Sequence, residues 1–174
     1  RKLRAGQTSA AAITDQCLQR IETDNPRLNA FIHVMADQAR RDAREADADL
    51  AAGRDHGPLH GVPISIKDIV DVRGVPTTAA SRVREGHIAP ADAPTVTLLR
   101  RAGAIVIGKT NLHEFAFGTT NEDSAFGPAR NPYDPSRSPG GSSGGSGAGV
   151  AAGMSLATLG TDTGGSIPLP PALC

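Results

Sequence analysis

Residues 60–70 read His60, Gly61, Val62, Pro63, Ile64, Ser65, Ile66, Lys67, Asp68, Ile69, Val70. The run is apolar on both sides of a single lysine, as in a strand covered on both faces, and it passes into a loop after Asp68. A second apolar run follows at Ala104, Ile105, Val106 and Ile107, closed by Gly108 and preceded by a predicted helix over about Ala93–Ala102. Strand, helix, strand at this spacing predicts an α/β fold with a mixed or parallel sheet covered by helices.

Upstream, Thr8 and Ser9 are N-cap candidates for a helix in which Ala12, Ile13, Cys17 and Ile21 recur at helical spacing. Asn25-Pro26 is expected to break it. Leu28, Phe31, Ile32 and Val34 then suggest a short strand, and residues 35–52 a solvated outer helix with Gly53 at its C′ position. Downstream, residues 118–149 lack periodicity, and 140–149 hold six Gly and three Ser. That composition describes a linker, yet apolar segments flank it. A small-residue helix is predicted over Ala148–Met154, and a short buried strand at Leu156–Leu159.

Bulk properties exclude several classes of function. The 174 residues carry 18 basic and 18 acidic side chains, so no strong field invites nucleic acid or an anionic membrane. Five aromatic residues and no Trp make a poor platform for stacking bases. No apolar stretch reaches membrane-spanning length. Cys17 and Cys174 lack metal spacing and read as reduced thiols of a cytoplasmic protein. Neither a metal nor a cofactor is predicted. The chain lacks an initiator Met and ends at Cys174 just after its most motif-like segment, so residues 1–174 are expected to be a fragment.

The stretch Gly103–Thr110 matches the phosphate-loop pattern literally. Its four intervening residues, Ala104 to Ile107, favour a strand over a cradle of inward-turned N–H groups, so the match is refused.

A different constellation carries chemistry. A serine nucleophile needs a tight turn, backbone N–H groups aimed at the developing oxyanion, and a proton acceptor. Thr163, Gly164, Gly165 and Ser166 supply the turn, and Asp162 is placed to brace it by accepting backbone N–H bonds. None of His33, His56, His60, His87 or His113 sits in a recognisable catalytic motif. A Ser–Lys pair is the known substitute, and Lys67, set among Ile and Val, is a candidate base whose burial lowers its pKa. A buried Lys67 paired with Asp68 or Asp71 remains the structural alternative.

In four segments the sequence resembles the amidase signature family. These are His60 to Asp68; Gly108 to Phe115 (Gly-Lys-Thr-Asn-Leu-His-Glu-Phe); Ser138 to Ser146 (Ser-Pro-Gly-Gly-Ser-Ser-Gly-Gly-Ser); and Gly160 to Ile167 (Gly-Thr-Asp-Thr-Gly-Gly-Ser-Ile). They occur in family order, and the similarity extends from about Thr8. The resemblance implies the N-terminal portion of one amidase signature domain. It also implies a triad in which Ser166 attacks the amide carbonyl and Ser142, after a cis peptide bond, relays the proton to Lys67 and then to the leaving amine. The implied oxyanion hole is the backbone N–H groups of Thr163, Gly164, Gly165 and Ser166. Ser143 takes a supporting role and Ser146 a capping or packing one. The sequence departs from the family after Ile167, where Pro168, Leu169, Pro170 and Pro171 replace the usual Arg and the residues after it. This puts the precision of the nucleophile turn in question.

The function so implied is hydrolysis of a small carboxamide to acid and ammonia through a seryl acyl-enzyme. The substrate is a small amide, there is no direct nucleic-acid or membrane contact, and a homodimer is allowed for. One alternative is the glutamine-hydrolysing A subunit of a tRNA-dependent amidotransferase, with its partner subunits. The other is an inactive truncated piece.

Overall fold

A computed structural model describes residues 2–174. Its centre is a four-stranded mixed sheet of β1 (Phe31–Val34), β2 (Pro63–Lys67), β3 (Ile105–Thr110) and β4 (Ala157–Leu159), in the order β1-β3-β2-β4. β2 lies parallel to both β3 and β4, and β1 runs antiparallel to β3. Five helices surround the sheet: α1 (Ala10–Leu28), α2 (Ala36–Ala51), α3 (Pro94–Arg101), α4 (Gly144–Ala151) and α5 (Leu169–Leu173).

All residues of β2 and β3 are buried, as expected of strands covered on both faces. Alternation splits their side chains between two cores. Ile105 and Ile107 pack with Cys17, Leu18, Ile21 and Phe31 under α1 and α2. Val106 joins Ile64, Ile66, Val72 and Val96 on the opposite face.

The phosphate-loop look-alike is β3 itself. Its register against β2 slips between Ile64 and Ser65, so that Ile64 faces Val106 but Ser65 faces Gly108. Gly108 is required here, because a Cβ would lie 2.5 Å from the His33 carbonyl oxygen. A one-residue slip exchanges the faces of every later side chain. Lys109 therefore reaches Pro76 and Thr77 on one side, while Thr110 meets Ser146 of α4 on the other, at 2.8 Å.

Three expectations are corrected. The first helix does not break at Asn25-Pro26. It runs to Leu28 with Pro26 inside its last turn, giving up the one bond that a residue 26 N–H would make to the Glu22 carbonyl, and it stops at Asn29, which is left-handed (φ 49°) and donates its N–H to the Asn25 carbonyl. The small-residue helix starts four residues earlier than Ala148, and Ser146 lies inside it, buried. Leu156–Leu159 is not buried: Leu156 is exposed, and β4 is an edge strand paired only with β2. The Gly/Ser-rich segment is no linker, as its apolar flanks had argued against its composition: Gly140 to Ser143 before α4, and Gly144 to Ser146 within it, are all buried. Pro168, Pro170 and Pro171 sit at the N-cap and first turn of α5, where a missing N–H is tolerated.

Candidate active site

Lys67 is the last residue of β2 and is fully buried. Its ammonium has three N–H donors, and three hydroxyls receive them: Ser142 Oγ at 2.7 Å, Ser143 Oγ at 2.8 Å and Thr161 Oγ1 at 2.8 Å. No carboxylate touches it among the described residues, so the alternative of an ion pair with Asp68 or Asp71 is not realised. Asp68 belongs instead to Lys109, whose Nζ lies 2.7 Å away. Burial pulls the Lys67 pKa down to about 8, opposed only by the more distant Asp162 carboxylate.

The two serines differ in where their protons go. Ser143 Oγ donates to the Thr161 carbonyl at 3.2 Å. Ser142 Oγ accepts from Lys67 and, among the described residues, has no acceptor for its own O–H. Ser142 is fully buried and follows a cis Gly141–Ser142 peptide bond. Its carbonyl accepts the His113 N–H at 3.0 Å, so His113 contributes its main chain to the site. His60, also buried, bonds to the Ala46 carbonyl and the His56 N–H, away from Lys67.

The turn bearing Ser166 is more open. Asp162, Thr163 and Gly164 are exposed and Ser166 is half-buried. Asp162 gathers the turn: its Oδ1 accepts from Gly165 N (2.6 Å) and Ser166 N (3.0 Å), and its Oδ2 from Ile167 N (3.2 Å). These bonds, Gly165 N–H foremost, hold its pKa below the usual carboxylate range. The N–H groups of Thr163 and Gly164 have no acceptor among the described residues. Nor does Ser166 Oγ form a hydrogen bond to Ser142 or Lys67. The fold thus brings Lys67, Ser142 and Ser143 together and leaves Ser166 on a neighbouring turn. A cavity of about 420 Å³ opens beside both, lined by Ser143, Gly160, Ile167, Pro170 and Cys174.

Thr161 was not legible as a Lys67 partner, although its place between Gly160 and Asp162 in the diglycine segment was the available signal. Both cysteines are free thiols. Among the described residues no group of acidic, His or Cys side chains is arranged to hold a metal, and no helix is long and apolar enough to cross a membrane.

The family model for amidases matches residues 12–174. The chain belongs to the amidase family. A similar curated amidase-family relative is the A subunit of the glutamyl-tRNA(Gln) amidotransferase of Anaeromyxobacter sp. (strain K), 52% identical over 95% of this chain and 34% of its own length. The chain thus spans about a third of that relative. Among solved structures, native peptide amidase from Stenotrophomonas maltophilia superposes with a TM-score of 0.91 at 42% identity, over 98% of this chain and 36% of the other. A 6-aminohexanoate cyclic dimer hydrolase complexed with substrate gives 0.90 at 35% identity, over 99% and 35%. The mixed sheet with its helices is the arrangement these amidases share.

Proposed function

We propose that residues 1–174 contribute the N-terminal part of an amidase domain and carry the reacting groups of an amide hydrolase, with Ser166 as nucleophile, Ser142 as relay and Lys67 as base. The observation that carries this reading is the unassigned Ser142 proton. Lys67 in its neutral form has a lone pair in place of one donor, so Ser142 O–H can donate to it at 2.7 Å. Ser142 Oγ is then ready to take the proton of an attacking Ser166. With the pKa near 8, about a tenth of the amine is free at neutral pH, and the conjugate ammonium is acidic enough to return the proton to the leaving amine.

In the reaction so proposed, Ser166 Oγ forms a bond to the amide carbon and the carbonyl electrons move onto oxygen. The C–N bond then breaks, the amine leaves with the relayed proton, and water releases the acyl group by the same route. Backbone N–H groups of Thr163, Gly164, Gly165 and Ser166 receive the oxyanion. Those of Thr163 and Gly164 are free, and those of Gly165 and Ser166 are positioned by their bonds to Asp162. Ser143 and Thr161 hold the lysine. The free thiols agree with a cytoplasmic setting.

The test is covalent labelling of the full-length protein by a fluorophosphonate probe, with the modified residue located by mass spectrometry. The reading predicts a single adduct on Ser166, absent in Ser166→Ala. A folded full-length protein that takes no label would overturn the assignment of Ser166 as nucleophile.

The identity of the curated relatives favours a second reading. Several at 51–54% identity are named as amidotransferase A subunits, against 42% for the peptide amidase structure. On that reading the amide is glutamine and partner subunits co-purify. Glutamine hydrolysis that rises when the partners are added would select it over a free-standing amidase.

A further inference from the structure

A second lysine, Lys109, is also fully buried, on the other side of the sheet end from the Lys67 amine. It has all three donors satisfied: Asp68 Oδ1 at 2.7 Å, the Pro76 carbonyl at 3.0 Å and Thr77 Oγ1 at 3.0 Å. Asp68 is 1% exposed and is the residue immediately after Lys67. Its Oδ2 accepts from both the N–H and the hydroxyl of Thr78. Its own N–H donates to the Thr110 carbonyl at 3.0 Å, and its carbonyl accepts from Ala79 N at 2.8 Å. Every polar atom of Asp68 is thus tied to β3 or to the loop 76–79.

Register explains why the pair sits behind the base. Lys67 lies opposite Thr110 and Ile66 opposite Lys109. The slip at Gly108 sends Thr110 toward α4, on the side of Ser142, and Lys109 toward the loop. A buried ion pair, even one with its remaining donors and acceptors satisfied, is weak evidence for stability against an apolar pair of the same volume, so its placement asks for another reason.

We propose that Asp68 and Lys109 form a positioning pair for Lys67. They fasten the end of β2 so that the Lys67 amine meets Ser142, and by engaging the Asp68 carboxylate, Lys109 keeps a second negative charge off that amine. The inference rests on the reading of Lys67 as base. Asp162 is then the one carboxylate whose field reaches Lys67. Lys109 itself is faced by Asp68 and Asp71 from the loop after β2 and by Arg84. His33 of β1 also feels both charges of the pair.

The test is the pH profile of fluorophosphonate labelling in the full-length wild type, Lys109→Met, Asp68→Asn and the double variant Asp68→Asn/Lys109→Met. Lys109→Met leaves a lone carboxylate, so the acid limb should move up by about one pH unit. Its limiting rate should fall by up to about a hundredfold as the amine shifts. Asp68→Asn leaves a lone cation and should move the limb down. The double variant, with no lone charge, should return it to the wild-type position at a limiting rate still below wild type. Should Lys109→Met fail to fold, the downward move in the near-isosteric Asp68→Asn carries the test. Unmoved limbs in folded single variants, whatever their rates, would reduce the pair to a structural element and overturn the proposal. A wild type unlabelled at every pH would instead defeat the assignment of Ser166 and Lys67.

Discussion

The two halves of the site are built to different standards. Around Lys67 every donor is taken, Lys67, Ser142 and Ser143 are buried, and the three accepting hydroxyls come from the residues just before α4 and from Thr161 after β4. Around Ser166 the turn is exposed and is held chiefly by one carboxylate, Asp162. A base must be kept dry and in register before any substrate arrives, because its function depends on a lowered pKa. A nucleophile turn has to admit the substrate and can finish its placement when the substrate is bound. The contrast also explains why the Pro168–Pro171 run is accommodated: it begins a new helix beyond the turn and does not interrupt the Lys67 half.

Substitutions can break this contrast, beginning with the base. Lys67→Ala is expected to lower the labelling rate of Ser166 by about a thousandfold or more while leaving circular dichroism unchanged, since general base catalysis commonly contributes about 10²–10⁴. Next comes the pair of serines, which is the sharper comparison. Ser142→Ala should cost about a hundredfold or more, because the proton then has no path to the lysine. Ser143→Ala should cost roughly tenfold at most, because its hydroxyl proton is already committed to the Thr161 carbonyl. Equal losses in the two would remove the distinction between relay and support. The smallest effect is expected at Asp162. Asp162→Asn keeps an acceptor but weakens the charge-assisted bonds to Gly165 and Ile167, so the rate should drop about threefold and the acid limb should move slightly down as Lys67 loses that nearby charge.

Those expectations rest on features that differed in how legible they were. β2 and β3 stood out because strands buried on both faces are continuous apolar runs, and one of them was told from a phosphate loop by its β-branched residues alone. Ser166 on its diglycine turn could be argued from what a nucleophile requires. Lys67, on its residues alone, was open between base and ion pair, and the resemblance favoured the base; the structure removes the ion pair with Asp68, which belongs to Lys109. The Asp68–Lys109 pairing could not be foreseen, because it depends on the register slip at Gly108, which changes the face of Lys109 without altering the apolar pattern. The run before α4 was illegible for another reason. Its glycines are demanded by tertiary contact: a Cβ at Gly141 would sit 2.9 Å from the Asn121 backbone nitrogen, which no local composition reveals. Pro26 misled because α1 continues past it to Leu28, whose burial in the core is a tertiary contact that the local signal does not carry.

The central claim is that a buried, neutral Lys67 receives the Ser166 proton through Ser142. It is tested most directly by the labelling rate of Ser166 between pH 6 and 10 in the wild type and in Lys67→Ala. A base whose pKa is lowered by burial acts only when deprotonated, so the wild-type rate should climb with pH and level off above about 8. Lys67→Ala should be slow and show no such limb. A limb of the same height and midpoint in Lys67→Ala would contradict the account and assign the proton to another group.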